Sequence, residues 1–424
     1  MENFPKGKRY GFFPSASIGW VPSSEDFWNS DVFSHLKVRG SYGQVGNDQI
    51  GGRRFLYLTN VNSSAWAYFW GSSHFDPGGG VEESQMGVQN VTWEVSTKAN
   101  VGLDIGLLGD VFNLQIDAFH EIRDNILIER QTVPDYVGII SVPAGNLGKV
   151  RNLGVDGMLE IKKSLSNGFF YSVRGNFSYA HNKILENDEP DRKYKHLERK
   201  GHRIDQYFGY VALGFFQDEA DIANSPVQEV GGAPRVGDIK YKDISGDGII
   251  NSDDITAIGY APVPEIMFGI GGTVAYKNFD VTLYFSGVAN RSTFLDGDGM
   301  YPFSLEYPNY NVFREYYDNR WIPGAADNSS AKYPAVVAGN NTNNYQTSTM
   351  YMLNAAYIKL NNAEIGYTIP SSVTDKIKMN KIRVFANGSN LYTWDYVKVV
   401  DPEMTQTGGY PMQRAINFGA QFDF

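Results

Sequence analysis

The 424 residues carry 37 basic and 47 acidic side chains, a net charge of −10, together with 27 Tyr, 26 Phe, 7 Trp, 45 Gly and no Cys. The acidic balance disfavours a general nucleic-acid binder, and the missing thiols exclude a disulfide scaffold, a thiolate metal site and a cysteine nucleophile. Length alone suggests two or three domains of ~100–200 residues, but abundant aromatics and glycine with only 20% charged residues suit β-structure better than helix.

No apolar run approaches the roughly 18 residues of a membrane helix. The opening Met1-Glu2-Asn3-Phe4-Pro5 shows neither a basic n-region nor an apolar core of a signal peptide. A β-barrel crosses a membrane without any long apolar run, so neither observation argues against one.

Taken in chain order, spanning strands are predicted near 11–20, 34–45, 94–106, 111–123, 150–164, 168–183, 264–276, 279–290, 354–369, 381–394 and 413–424. The warrant is period-2 alternation, since successive strand side chains point to opposite faces. Val95, Thr97, Ala99, Val101, Leu103 and Ile105 oppose Ser96, Lys98, Asn100, Gly102 and Asp104. Phe112, Leu114, Ile116 and Ala118 oppose Asn113, Gln115 and Asp117. Tyr171, Val173, Phe177 and Tyr179 oppose Ser172, Arg174, Asn176 and Ser178, and Phe279, Val281, Leu283 and Phe285 oppose Asp280, Thr282, Tyr284 and Ser286. Ile382, Val384 and Ala386 oppose Arg383, Asn387 and Ser389, with Phe385 an exception on the polar face. Ile416, Phe418, Ala420, Phe422 and Phe424 close the chain on one face. One segment breaks register between Leu360 and Ala363, and a β-bulge at Asn361-Asn362 restores its apolar face.

Soluble antiparallel sheets would alternate in the same way. Two features favour a membrane. Several segments alternate for about ten residues, the length of a tilted crossing, and aromatics mark their ends as an interfacial girdle does. The connections also sort by length: short at 21–33, 107–110, 165–167, 277–278 and 370–380, long at 46–93, 124–149, 184–263, 291–353 and 395–412. Short turns on one side and long loops on the other are the pattern of outer-membrane barrels. The fold class is therefore all-β, an antiparallel transmembrane β-barrel with long extracellular loops. About eleven strands is odd, whereas single-chain bacterial barrels are even, and an open sheet leaves two unpaired edges in lipid. The sequence reads as the C-terminal portion of a larger barrel, a fragment whose signal peptide and earlier strands lie outside it.

Specific residues then resemble the SusC/RagA-like TonB-dependent outer-membrane receptors of Bacteroidetes. Phe13-Pro14-Ser15-Ala16-Ser17-Ile18-Gly19-Trp20, Leu36-Lys37-Val38-Arg39-Gly40-Ser41-Tyr42-Gly43 and Gly46-Asn47 are similar to the family's mid-barrel segment. Asn146-Leu147-Gly148 and Asn152-Leu153-Gly154 with Asp156 resemble its Asn/Gly strand motif. Gly209-Tyr210, Gly214-Phe215-Phe216-Gln217 and the run from Gly237 to Asp243 resemble its long external loop. Tyr357-Ile358-Lys359-Leu360, the run from Gly366 to Pro370, Gly388-Ser389-Asn390-Leu391-Tyr392, Asp401-Pro402-Glu403 and the ending Pro411-Met412-Gln413-Arg414 through Phe424 resemble its last strands. Each motif is weak alone, and their order and spacing together are specific. The resemblance implies about eleven strands of a 22-stranded barrel in the outer membrane of a Gram-negative bacterium. It implies nutrient import, of the oligosaccharide or peptide class, and no enzymatic activity. It also implies a plug domain that this chain lacks, TonB acting through that absent portion, a SusD-like lipoprotein over the mouth, the barrel assembly machinery, and outer-membrane lipid around the wall. Phe422 and Phe424 stand where such barrels carry their assembly signal, and they equally suit a girdle.

The sharpest local motif runs from Asp243 to Asp254. Oxygen donors fall at Asp243, Ser245, Asp247, Asn251 and Asp254, Ile249 offers its backbone carbonyl, and Gly248 sits where a 12-residue calcium loop turns sharply. The segment resembles the calcium loops of dockerins, which also end in Asp, although only one repeat is present. Its competitor is an Asp/Gly-rich turn without metal. Trp66, Trp70, Tyr307 and Trp321 head two aromatic-rich loops and are candidates to stack on substrate, weighed against packing of the loops on one another, which large aromatics usually favour. The basic stretch Lys193, Lys195, Arg199 and Lys200 reads as solvated surface. No phosphate-binding, dinucleotide, serine-hydrolase or zinc-protease motif is found. The competing functions are a secreted carbohydrate-binding or carbohydrate-degrading β-protein and a calcium-stiffened outer-membrane adhesin that transports nothing.

Overall fold

A computed structural model describes residues 3–49, 51, 54–65, 71–72, 79–139, 141–297, 299–303, 311–337, 339, 341–404 and 409–424, with the side chain of residue 135 left aside. Its dominant element is one eleven-stranded sheet in simple sequential order. The strands are β1 Ser15–Trp20, β2 Phe33–Asn47, β3 Glu94–Leu107, β4 Phe112–Glu129, β5 Ala144–Ser164, β6 Phe169–Asn187, β7 Ile266–Tyr276, β8 Phe279–Ala289, β9 Tyr357–Thr368, β10 Lys381–Asp395 and β11 Ala415–Asp423. Every neighbouring pair is antiparallel. Each predicted spanning strand has its counterpart. No helix among the described residues is long and apolar enough to cross a membrane, which says nothing against strands that do.

The register carries the alternation from strand to strand. Phe285 pairs with Ile270 and Leu360, Leu283 with Gly272 and Ala363, and Val281 with Val274 and Ile365. Residues paired across an antiparallel ladder point to the same side. One face is therefore continuously apolar and the other polar. The predicted bulge is present: Tyr284 faces Asn362 while Phe285 faces Leu360, so Asn361 is the extra residue, and its side-chain amide donates to Ser286 Oγ at 2.5 Å. Without that insertion Leu360 and Ile358 would point to the polar face.

Phe385, the aromatic on the polar face, lies flat over Gly419 of β11, where a Cβ would stand 2.5 Å from its ring. The glycine makes room for the ring. Tyr284 likewise covers Gly269 and Gly271 of β7.

The structure changes the strand heights. β2, β4, β5 and β6 run on past their predicted tops, β5 starting at Ala144 rather than 150 and β6 ending at Asn187 rather than 183. On β4, β5 and β6 register shifts hide these extensions, after Arg123 on β4, between Asn146 and Gly148 on β5 and between Ile184 and Glu186 on β6, because a bulge breaks the period-2 alternation. The long connections also fold. Small ladders pair Asn60–Ala65 with Gly80–Gln85, Ala212–Phe215 with Ile239–Tyr241, and Ser292–Phe294 with Met352–Asn354.

The largest buried apolar core lies among these loops. Tyr210, Ile239, Tyr241 and Ile250 from the connection before β7 meet Leu295, Met300, Tyr316, Tyr333 and Tyr351 from the connection before β9. We call this unit the crown. A β-sheet with one face turned to lipid has no apolar side left to build a second layer, so the crown must supply its own core.

Candidate functional site: lumen wall and crown

The polar face is a wall of paired charges. Arg39 of β2 makes a two-armed contact with Asp117 of β4, Nη1 to Oδ1 at 2.6 Å and Nη2 to Oδ2 at 2.5 Å, and also donates to Asp104 of β3 at 3.2 Å. To reach Asp117 it crosses β3 directly over Gly102, where a Cβ would stand 2.6 Å from the guanidinium carbon. The same device recurs at the other end of the sheet. Arg383 of β10 crosses β9 over Gly366 to reach Asp280 of β8, with Nε to Oδ1 at 3.1 Å, and its Nη2 donates to Glu364 of β9 at 2.7 Å. Asn387 donates to Glu364 and Asn417 of β11 to Asn387, so the chain of polar contacts runs across four strands. Arginine suits both places because its planar fork engages two carboxylate oxygens at once.

Higher on the wall, Glu121 of β4 accepts from Ser96 Oγ at 2.5 Å and lies 3.7 Å from both Lys98 and Arg123. Arg123 also pairs with Glu94 at 3.2 Å. Glu121 and Arg123 line a cavity of about 290 Å³ with Asn152, Asn182, Arg203 and Glu265. Glu265, 6% exposed, accepts from Arg203, from Asn290 at 2.9 Å and shares a hydrogen bond with His181 at 2.6 Å. Burial pushes its carboxyl upward, but the Arg203, His181 and Asn290 donors outweigh this and hold it below the usual range. The cavity offers both signs of charge and amide groups, the chemistry needed to hold a polar oligomer. None of these residues stood out as a motif. The signal for them was the set of opposite charges on the polar faces of neighbouring strands.

Crown polar groups are tightly enclosed. Asp238, 1% exposed, accepts from Asn341 at 2.8 Å, Asn344 at 2.9 Å and the Arg235 amide at 2.9 Å. Gln228 donates to Ile239 O and Asn343 Oδ1 and accepts from the Tyr241 amide. The Asp401-Pro402-Glu403 turn is tied down by two buried cations: Lys359 of β9 meets Glu403 at 2.5 Å, and Arg291 donates to the Pro402 carbonyl at 2.5 Å.

The sequence candidates fall as follows. Trp66, Trp70 and Tyr307 lie outside the described residues. Trp321 is 5% exposed and packs edge-on to Phe215 inside the crown. Phe422 pairs across from Ile382 on the apolar face, and Phe424 follows it, 84% exposed. Lys193 of the basic stretch bonds Asp253 at 2.7 Å, and the Arg199 guanidinium sits 3.8 Å over the Phe208 ring, so part of that stretch is engaged rather than merely solvated.

In the 243–254 loop, Asp243 accepts from the Gly246 amide at 2.6 Å, the Gly248 amide at 2.9 Å and Ser245 Oγ at 3.2 Å. The Gly248 amide first, then Gly246, Ser245 and the neighbouring Asp254 carboxyl, hold Asp243 below the usual carboxylate range. Asp254, fully buried, accepts from the amides of Ile244, Ser245 and Asn251. Asp247 accepts from the Ile249 amide and Asn251 from the Asp253 amide. Among the described residues no group of three or more acidic or histidine side chains converges on one point. A cation here would therefore draw also on Ser245, Asn251 and the Ile249 carbonyl. Those oxygens suit calcium, and the approach of Asp243 to Asp254 is one that a cation relieves.

Residues 2–391 match the family model described as TonB dependent receptor-like, beta-barrel. The chain belongs to the TonB-dependent receptor β-barrel family. It is 26% identical over 445 residues to TonB-dependent receptor P3 of Formosa agariphila, covering 99% of this chain and 41% of that protein. It is 25% identical over 435 residues to TonB-dependent receptor SusC of Bacteroides thetaiotaomicron, covering 98% of this chain and 40% of that one. The solved RagAB peptide transporter superposes with a TM-score of 0.75 at 18% identity, over 100% of this chain and 44% of its own. The chain thus spans less than half the length of these relatives. A barrel of this family lies in the Gram-negative outer membrane, so the apolar face meets lipid, the polar face meets the lumen, and the long loops are extracellular. This overturns the reading as a secreted carbohydrate-binding or carbohydrate-degrading protein.

Proposed function

We propose that this chain forms the C-terminal barrel part of a SusC/RagA-like importer, taking up oligosaccharides or peptides across the outer membrane. The observation that carries the proposal is the cavity at the lumen mouth, where Glu121, Arg123, Asn152, Asn182 and Arg203 face a path enclosed by a salt-bridged wall. Coupling to TonB, the plug and the early strands belong to sequence outside this chain, and a SusD-like lipoprotein covers the crown. Phe422 and Phe424 serve the assembly machinery.

The test uses the full-length receptor in its own host. Replacing Glu121 with Gln and Arg123 with Ala should lower uptake of one labelled class, oligosaccharide or peptide, by about tenfold, since losing a charge-assisted contact costs ~1–3 kcal/mol. Surface abundance should stay unchanged. Uptake of both classes at the parental rate would overturn the assignment of this cavity, and a receptor whose deletion alters no uptake at all would favour the adhesin.

We further propose that the 243–254 loop holds calcium through Asp243, Ser245, Asp247, Asn251, Asp254 and the Ile249 carbonyl, stiffening the crown. Saturable calcium binding weakened by Asp247→Ala is the expected result. Identical melts of the full-length receptor in calcium and in chelator would refute it.

A further inference from the structure

The apolar face ends abruptly on β5 and β6. On β5, Leu153, Val155, Leu159 and Ile161 point to lipid, a stretch of nine residues from 153 to 161. That is the span a tilted strand needs to cross the hydrocarbon, which takes ~9–11 residues. On β6 the same face carries Val173, Phe177 and Tyr179, with His181 opposite Leu153. The next position outward on that face of β5 is Arg151, and beside it on β6 is Lys183, its direct cross-strand partner. Both are half-buried. Like charges placed directly opposite one another on a ladder destabilise it unless something neutralises them.

Among the described residues neither Arg151 nor Lys183 takes part in an ion pair, and the Arg151 Nε is buried with no hydrogen-bond partner. Carboxylates in this part of the barrel serve other cations: Asp124 holds Lys149 at 2.8 Å, with Glu186 also acting on Lys149, and Glu265, at the lumen mouth, holds Arg203 and His181. Gly201 lies against the Lys183 stem, 3.8 Å from Cε to where a Cβ would stand. His202, next to it, is held below the ordinary imidazole range first by burial and then by the fields of Lys183, Arg203 and Arg199. Arg151 and Lys183 thus stand one position beyond the nine-residue apolar span of β5, at headgroup height on the outer leaflet.

We propose that Arg151 and Lys183 form a binding site for the phosphate of an outer-leaflet phosphoglycolipid, whose acyl chains lie along Leu153, Val155, Phe177 and Tyr179. Arginine supplies a fork for two phosphate oxygens and lysine a point charge beside it. The inference rests on the membrane placement of the barrel, and not on its transport activity.

The experiment is native mass spectrometry of the full-length receptor in detergent, titrated with monophosphoryl lipid A, with the same lipid lacking its phosphate, and with inorganic phosphate. The wild type should bind the phosphorylated lipid at least tenfold more tightly than the dephosphorylated one. The R151Q/K183Q double variant should lose that preference, and Lys163→Gln, on the apolar face at the short-turn end, should keep it. Equal binding of both lipids by the wild type, an undiminished preference in the double variant, or inorganic phosphate binding as tightly as the lipid would each overturn the site. The wild-type lipid comparison decides the matter even where the double variant fails to fold.

Discussion

The wall and the crown solve the same problem in opposite ways. The wall keeps its apolar side chains outside, against lipid: Phe418 is 83% exposed and Ile416 63%. The crown turns its apolar groups inward, with Tyr241, Tyr316 and Tyr351 almost wholly enclosed. Polar groups reverse in the same way. Wall charges sit on the lumen face as ladders such as Arg39–Asp117 and Arg383–Asp280, whereas crown polar groups such as Asp238 are buried and satisfied by amides from a loop about a hundred residues away. The solvent decides. Lipid needs no burial of apolar surface but leaves no backbone group unpaired, and water demands the reverse.

The largest expected effect separates the two units. Tyr316→Ala removes a stacked partner of Tyr333 and a hydrogen bond to the Pro334 carbonyl, at a cost of ~3–5 kcal/mol by analogy with other aromatic truncations. Limited proteolysis should then cut the crown while the barrel keeps its heat-modifiable migration on a gel. If barrel and crown are lost together, they are one cooperative unit and the contrast fails. The converse is Leu283→Arg in the middle of β8, which places a charge in lipid at ~2–4 kcal/mol. Here the heat-modifiable form should diminish first.

Alkali gives a smaller and graded test. Burial raises the phenols of Tyr241, Tyr316 and Tyr351 above their ordinary range and pushes Tyr333 up to about 12. A group whose folded pKa is raised contributes stability that is complete below its unfolded pKa and is lost as pH rises through the folded value. Crown stability should therefore hold to about pH 10 and decline towards pH 12. After the exposed tyrosines ionise at about pH 10, a second rise in tyrosinate absorbance should accompany crown proteolysis. Complete tyrosine ionisation near pH 10 with an intact crown would contradict the burial described.

Much of the wall is legible in the sequence alone. The lipid faces of seven strands and the bulge at Asn361-Asn362 follow from a period of two, which is a local property, and the sorting of turns and loops follows from connection lengths. The exception at Phe385 could be seen but not explained, because Gly419, which admits its ring, lies on another strand. The tops of β4, β5 and β6 escape the pattern because bulges shift their register. In the site, the separate carboxylates of Asp104, Asp117 and Asp280 were visible on polar faces, but their sharing of an arginine across an intervening glycine was not.

The sequence by itself determined the membrane strands, the lipid face of most of them and the family resemblance, because alternation and motif order are written in neighbouring residues. Only the tertiary structure decided which charges meet over Gly102 and Gly366, which residues line the mouth cavity, that Trp321 is enclosed, and that Arg151 and Lys183 stand side by side above the apolar band. Those outcomes depend on register between strands and on loops closing over long separations, and a one-dimensional pattern carries neither.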